Sequence, residues 1–310
     1  MVLSWGADRF VFGASILAKN IGISPMIVGL TIVAMGSSAP EIIVAATASF
    51  NGNTDTAVGN ALGSNITNIA LVLGLTALLK PLSIASSTLK KEMPILLLVT
   101  LLAVYLLSDY LLLKLEGIIL ITLFFVVISG LTWMSFNVQQ DDPLQPETKS
   151  AIKSEVPCGV PTSKAVMWLV VGIILLPLSA YFMVDSAETI ARYFGLSELV
   201  IGLSIIAIGT SLPELAACIA GSLKNQDDLA LGNIIGSNIF NTLAVLAMPG
   251  LIAPGVVDEN AATRDSYVML GLTLLLIMFS FNLKGSRRIN RIEGLCLITC
   301  FFGYQFLLFA

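Results

Sequence analysis

The chain has 310 residues, 56% of them hydrophobic and 12% charged, with a formal net charge of -4. Soluble domains carry about 25% charged residues, so this balance excludes an ordinary water-exposed surface and points to an integral membrane protein. The basic residues are dispersed and give no sign of a nucleic-acid partner, and the lack of histidine excludes imidazole proton relays and His-containing metal sites.

Apolar runs near the length of about 20 residues that a helix needs to cross a bilayer recur along the whole chain. Ten are expected, at roughly 1–19, 22–50, 54–79, 92–108, 114–137, 164–194, 196–223, 228–252, 266–284 and 290–310. A β-barrel would alternate apolar and polar residues along each strand, whereas Ile118 to Ile128 is apolar on every face. The first run carries Asp8 and Arg9 and ends in no A-x-A-like site, so no cleavable leader is expected. Between the fifth and sixth runs, Val138 to Ser163 holds four acids and four prolines without apolar periodicity and reads as a cytoplasmic linker. It divides a first five-helix unit, 1–137, from a second, 164–310. Cys158 falls in the linker, and Cys218, Cys296 and Cys300 fall in helices without C-x-x-C spacing, so all four are expected to be packing residues rather than disulfides or metal ligands.

Lys and Arg set the expected orientation. With the N-terminus outside, twelve basic residues (Lys19, Lys80, Lys90, Lys91, Lys149, Lys153, Lys164, Lys224, Lys284, Arg287, Arg288 and Arg291) fall on inner loops and flanks, against Lys114, Arg192 and Arg264 outside. That asymmetry follows the positive-inside rule and puts both termini outside.

Residues 22–68 laid over 195–241 with a constant shift of 173 and no gap give 20 identities in 47 positions. Such self-similarity marks duplicated structure. Because each unit has five spans, an odd number, the second unit enters the membrane from the opposite face, making an inverted repeat of the kind that builds transporter sites at the midplane from interrupted helices. The identities gather on Gly, Ser, Asn, Pro and Glu. GSSAPE (Gly36 to Glu41) returns as GTSLPE (Gly209 to Glu214). Pro40 has no N–H for the carbonyl of Gly36, nor Pro213 for that of Gly209, so each helix must bend or unwind in mid-span. Freed carbonyls in hydrocarbon need another partner, and a cation is one. Glu41 and Glu214 follow each break, and intramembrane acids are functional-site candidates by default.

A second pattern, GNALGSNITN (Gly59 to Asn68) and GNIIGSNIFN (Gly232 to Asn241), sets Asn60, Ser64 and Asn68, and equally Asn233, Ser237 and Asn241, on one helical face. Gly59, Gly63, Gly232 and Gly236 allow a close helix approach. Such a stripe serves either as interhelical glue or as a ligand set. Together with the glutamates it makes an all-oxygen inventory, which suits Ca2+, Mg2+ or Na+ rather than Zn2+ or Cu. Ca2+ accepts irregular shells of six to eight oxygens and Mg2+ demands octahedral geometry, so a dehydrating cage favours Ca2+, with Na+ of similar radius as its competitor.

These paired motifs resemble the two repeats of the cation/calcium antiporter superfamily, specifically its prokaryotic sodium/calcium exchanger branch, with the motif regions here at 29–80 and 202–253. The resemblance implies an all-α membrane protein of ten transmembrane helices in two inverted repeats, which exchanges Na+ for Ca2+ by alternating access as its first and sixth helices slide over the other eight. It implies carboxylate ligands at Glu41 and Glu214, hydroxyls at Ser38, Ser211, Ser64 and Ser237, and amides at Asn68 and Asn241. It further implies backbone carbonyls at Ala34 and Ala207 and paired polar positions at Ser37 and Thr210. The transported ions are Ca2+ and Na+, the membrane that the resemblance implies is a cytoplasmic (inner) one of prokaryotic type, and no cofactor or enzyme activity is expected. Two departures stand out: some relatives, including the potassium-dependent ones, have Asp where this chain has Asn241, and the first helix has fewer apolar residues before Asp8 than relatives carry. Ca2+/H+ exchange and a cation channel are the alternative functions; a membrane enzyme lacks a nucleophile, base and oxyanion constellation. Among other acids, Asp185, Glu188 and Asp8 read as interfacial, and Asp55 and Asp228 as helix N-terminal residues.

Overall fold

The computed structural model describes residues 2–84, 88, 90–137, 159–281 and 288–309. The expected 138–163 linker thus falls largely outside the described residues, as do Cys158 and the side chains of Asp185 and Glu188. The chain is mostly helical. In order, the helices are α1 (Val2–Ile21), α2 (Pro25–Ser37), α3 (Ala39–Phe50), α4 (Thr54–Leu79), α5 (Glu92–Leu107) and α6 (Lys114–Asn137). There follow α7 (Thr162–Tyr193), α8 (198–210), α9 (Leu212–Leu223), α10 (Asp227–Ile252), α11 (261–280) and α12 (Arg291–Phe309).

Helix dominates because hydrocarbon offers the backbone no partner but itself. Among the described residues, seven helices are long and apolar enough to cross a membrane, and the bent pair α2–α3 makes eight. Two of the ten expected runs fall short by that measure: α1 carries Asp8, Arg9 and Lys19, and α5 has 16 residues. The run expected at 266–284 begins earlier, at Ala261, and ends at Ser280. Its first turn contains Arg264 and Asp265, which look like loop residues, yet Asp265 is buried by pairing with Arg264 and with the Tyr304 hydroxyl of α12.

Purely helical structure needs one amendment. Two antiparallel strand pairs close the loops: β1 (Leu82–Ser83) with β4 (Arg288–Ile289), and β2 (Leu111–Leu112) with β3 (Gly255–Val256). Two-residue strands carry too little periodicity to be legible in a sequence.

α1 and α7 run antiparallel. A Cβ on Gly13 would lie 2.7 Å from the carbonyl of Ala165, Gly172 lies against Phe10, and Gly6 against Leu175. The main core gathers the apolar faces of α4, α5, α10, α11 and α12, with Leu62, Ile69, Leu73, Leu96, Leu107, Leu243 and Leu297 fully buried.

The two broken helices cross into opposite halves. α2 lies on α10, where a Cβ on Gly29 would meet the Leu229 carbonyl at 2.5 Å, and α8 lies on α4, where one on Gly202 would meet the Thr56 carbonyl at 2.8 Å. These residues correspond at the shift of 173. Only glycine permits backbones this close.

Candidate functional site

Each break follows from its proline. Ser38 lies between α2 and α3, and Pro40 stands in the first turn of α3, whose axis is bent by 41° from that of α2. The second break, at Ser211 before Pro213, is milder, and Leu199 to Leu223 reads as one span. Both helices carry π-helical turns upstream of the break, at Gly29–Val33 and Gly202–Ile206, again 173 residues apart. π-Turns redirect side chains and recur at functional sites.

All twelve residues of the expected ion site are buried: Glu41, Glu214, Ser38, Ser64, Ser237, Asn68 and Asn241 show 0% exposure and none of the others more than 3%. Glu214 Oε1 accepts from Ser38 Oγ at 3.0 Å and from Ser237 Oγ at 3.3 Å. Glu41 lies close enough to Glu214 for their charges to oppose one another, with Thr210 beside it, and Ser37 stands beside Glu214. Ser64 and Thr210 share a hydrogen bond of 3.4 Å. Side-chain hydrogen bonds thus join Ser38 and Ser237 to Glu214 and Ser64 to Thr210, but link neither Asn68, Ser211 nor Asn241 to any of the twelve. Asn68 turns its Nδ2 to Asn238 Oδ1 at 3.2 Å, and Ser211 Oγ and both amide atoms of Asn241 have no partner.

The carbonyls of Ala34 and Ala207 do not stand free. They accept from the backbone N–H groups of Ser38 at 2.9 Å and Ser211 at 3.2 Å, and the second lone pair of each lies within reach of a hydroxyl, Ser37 Oγ at 3.4 Å and Thr210 Oγ1 at 3.5 Å.

Sequence reasoning placed Asn60 and Asn233 on the polar stripes but assigned them no task. Here Asn60 Oδ1 accepts from Thr210 Oγ1 at 3.4 Å while its Nδ2 donates to the Glu41 carbonyl at 3.1 Å, and Asn233 Oδ1 accepts from Ser37 Oγ at 3.1 Å. Asn65, which donates to Thr242 Oγ1 at 2.8 Å, and Asn238 were missed altogether; their identity at the repeat shift was the available signal.

Among the described residues no cationic side chain bonds either carboxylate. Both oxygens of Glu41, Glu214 Oε2, Asn68 Oδ1, Asn241 Oδ1 and Ser211 Oγ are buried acceptors without a hydrogen-bond partner. Unpaired buried carboxylates cost several kcal/mol each, roughly, unless a counter-charge or a proton neutralises them. Among the described residues no three His, Cys, Asp or Glu gather, so carboxylate charge at this site comes from two residues.

Several other charged groups among the described residues have partners of their own. Lys224 pairs with Asp8 at 2.6 Å and Lys80 with Asp227 at 3.4 Å, Arg9 lies over the Trp168 ring at 4.8 Å, and Asp55 accepts from the Asp258 N–H at 3.1 Å. Asp228 sits in the first turn of α10. Cys218 is buried, and Cys296 and Cys300 are exposed free thiols.

Comparison with known proteins finds relatives over nearly the whole chain. The chain is 57% identical over 310 residues to "Putative antiporter CaxA" of Alkalimonas amylolytica, covering 100% of this chain and 96% of the relative. It is 43% identical over 282 residues to "Inner membrane protein YrbG" of Escherichia coli, covering 90% and 85%. Among solved structures, the sodium-calcium exchanger NCX_Mj soaked with Na+ and Sr2+ superposes with a TM-score of 0.79 at 30% identity, covering 97% of this chain and 93% of that one. The family model described as "Sodium/calcium exchanger protein" matches residues 1–133 and 164–310, and the chain belongs to that family of membrane cation/calcium antiporters.

Proposed function

We propose that this chain is a Na+/Ca2+ antiporter that expels Ca2+ from the cytoplasm, driven by inward Na+. The observation that carries the reading is the fully buried pair Glu41 and Glu214, neighbours in space, three of whose four carboxylate oxygens have no hydrogen-bond partner. Hard oxygens in an irregular cage suit Ca2+, and two carboxylates balance one divalent ion. The ligand set is Glu41, Glu214, Ser38, Ser211, Ser64, Ser237, Asn68 and Asn241, joined by the second carbonyl lone pairs of Ala34 and Ala207 and by Ser37 and Thr210. One solved structure that superposes on this chain is named a sodium-calcium exchanger and was soaked with Na+ and Sr2+, a divalent ion that takes oxygen ligands as Ca2+ does.

The reading takes the ten helical runs as spans, arranged as two inverted repeats of five. The equivalent crossings of α2 on α10 and α8 on α4 support it, because contacts exchanged at one constant shift are what a pseudo-two-fold axis produces. α1 and α7, packed on each other, form the pair that slides against the rest. Full burial of both glutamates favours alternating access over a channel, which needs a continuous wet path. Both termini lie outside, in a cytoplasmic membrane. The second reading is Ca2+/H+ exchange, favoured by the absence of any cationic side chain bonded to either glutamate among the described residues, since a proton neutralises a carboxylate as a cation does.

Purified protein reconstituted in vesicles and loaded with Na+ is expected to accumulate external Ca2+ as Na+ leaves, with no uptake when only a pH gradient is imposed. Uptake driven by the pH gradient alone overturns the Na+ assignment in favour of H+.

A further inference from the structure

Granted that the cluster binds a cation, its hydroxyls face a constraint the glutamates do not. A serine or threonine oxygen carries one proton and two lone pairs, and it can ligate a cation only if that proton points elsewhere. Ser38 and Ser237 direct theirs to Glu214. Thr210 and Ser37 stand beside Glu41 and Glu214 respectively, and a proton turned towards those carboxylates would occupy the lone pairs that the ion needs.

We propose that Asn60 and Asn233 are positioning residues which draw the hydroxyl protons of Thr210 and Ser37 away from the carboxylates and so leave hydroxyl oxygen and carboxylate free to face the ion. Thr210 Oγ1 donates to Asn60 Oδ1 at 3.4 Å and Ser37 Oγ to Asn233 Oδ1 at 3.1 Å. The orientation of the Asn60 amide follows from its surroundings, since Nδ2 is held on the Glu41 carbonyl at 3.1 Å and Oδ1 must then face Thr210. Asn60 and Asn233 show 0% and 1% exposure, so water does not replace them as acceptors.

The two bonds are equivalents. Ser37 and Thr210 are 173 residues apart, as are Asn60 and Asn233, and each bond runs from a broken helix of one half to the partner helix of the other. Competing acceptors are the chain's own carbonyls, Ala34 at 3.4 Å from Ser37 and Ala207 at 3.5 Å from Thr210, and for Thr210 also Ser64 Oγ at 3.4 Å, which has its own proton to donate back. Those same carbonyls are ligand candidates, so the asparagines protect them as well. Neither asparagine touches the ion; each acts through a hydroxyl.

A double-mutant cycle reads this dependence. With full-length protein in detergent, the cation concentration giving half-maximal thermal stabilisation is measured for CaCl2 and, separately, NaCl, in wild type, Asn60→Leu, Thr210→Val and the double variant. Each single substitution should raise the Ca2+ midpoint by about fivefold, the equivalent of one neutral hydrogen bond, and the double variant should match Thr210→Val alone. Asn233→Leu with Ser37→Ala supplies a second cycle if Asn60→Leu does not fold, because the Asn233 Nδ2 has no partner to lose. Effects that multiply to about 25-fold in the double variant, or single variants with wild-type midpoints, overturn the role of the asparagines while leaving the cation site standing. Wild-type protein that neither ion stabilises overturns the cation site itself and this inference with it.

Discussion

Ser38 Oγ donates to Glu214 Oε1 at 3.0 Å, whereas Ser211, its equivalent 173 residues on, makes no bond to Glu41. One carboxylate of the site is therefore partly satisfied by the opposite half and the other by no side chain. A duplicated motif has produced two acids in unequal surroundings, and the inequality matches the sharper bend beside Glu41. The consequences are open to measurement.

Replacing either acid by its amide removes the charge at nearly constant shape. Glu41→Gln and Glu214→Gln are each expected to lower Ca2+ flux by on the order of 100-fold, the equivalent of about 3 kcal/mol for a buried charge losing its partner. Without added cation the same variants should melt no lower than wild type, because a buried unpaired anion has been neutralised. Vesicle Ca2+ flux and thermal unfolding check the two halves of this expectation; wild-type flux in either variant removes that residue from the ligand set.

Asn241 is fully buried with both amide atoms unpartnered. Asn241→Asp adds a third acid to the proposed ligand set and is expected to tighten Ca2+ binding and to introduce dependence on a further monovalent ion. Flux titrations in Na+ and in K+ test it. An unchanged Ca2+ midpoint with unchanged ion dependence would mean that the side chain does not face the ion.

Close helix crossings should tolerate no Cβ. At Gly63 an added methyl would lie 2.7 Å from the Ala207 Cβ and 2.8 Å from the Leu203 Cα, so Gly63→Ala is expected to destabilise by about 1–3 kcal/mol through overpacking. Gly271, in the middle of α11 with open space around it, is the control: Gly271→Ala should be neutral or stabilising by up to about 1 kcal/mol, since alanine is the better helix former. Unfolding midpoints in detergent compare the pair.

Asp265 is buried between Arg264, at 2.8 Å, and the Tyr304 hydroxyl, at 3.0 Å. Tyr304→Phe takes one donor from a buried carboxylate and should cost about 2 kcal/mol of stability while Ca2+ transport continues. Lost transport with unaltered melting would instead tie this triad to the transport cycle.

Most of the helical layout was legible from composition and run length. Thr54 to Leu79 and Lys114 to Asn137 have the bounds that the hydrophobic pattern predicts, because a chain in hydrocarbon can satisfy its amides only within the helix. Ala261 to Asp265 was not legible, since Arg264 and Asp265 belong to a helix only when Tyr304 is there to receive them. Nor were the paired strands β1–β4 and β2–β3, in which four short segments far apart in sequence meet.

The sequence by itself determined that the chain is a membrane bundle, that it is duplicated at a shift of 173, and that each copy brings a proline break, a glutamate and a Ser/Asn face. Only the tertiary structure decided how the copies combine: Ser38 bonds Glu214, Ser37 bonds Asn233 and Thr210 bonds Asn60, every one of them from one half to the other. The physical reason is range. Hydrophobic run length and a missing amide proton act within a few residues and leave their mark on the local sequence, whereas which hydroxyl meets which carboxylate depends on glycine contacts such as Gly29 on Gly232, between helices some 200 residues apart along the chain.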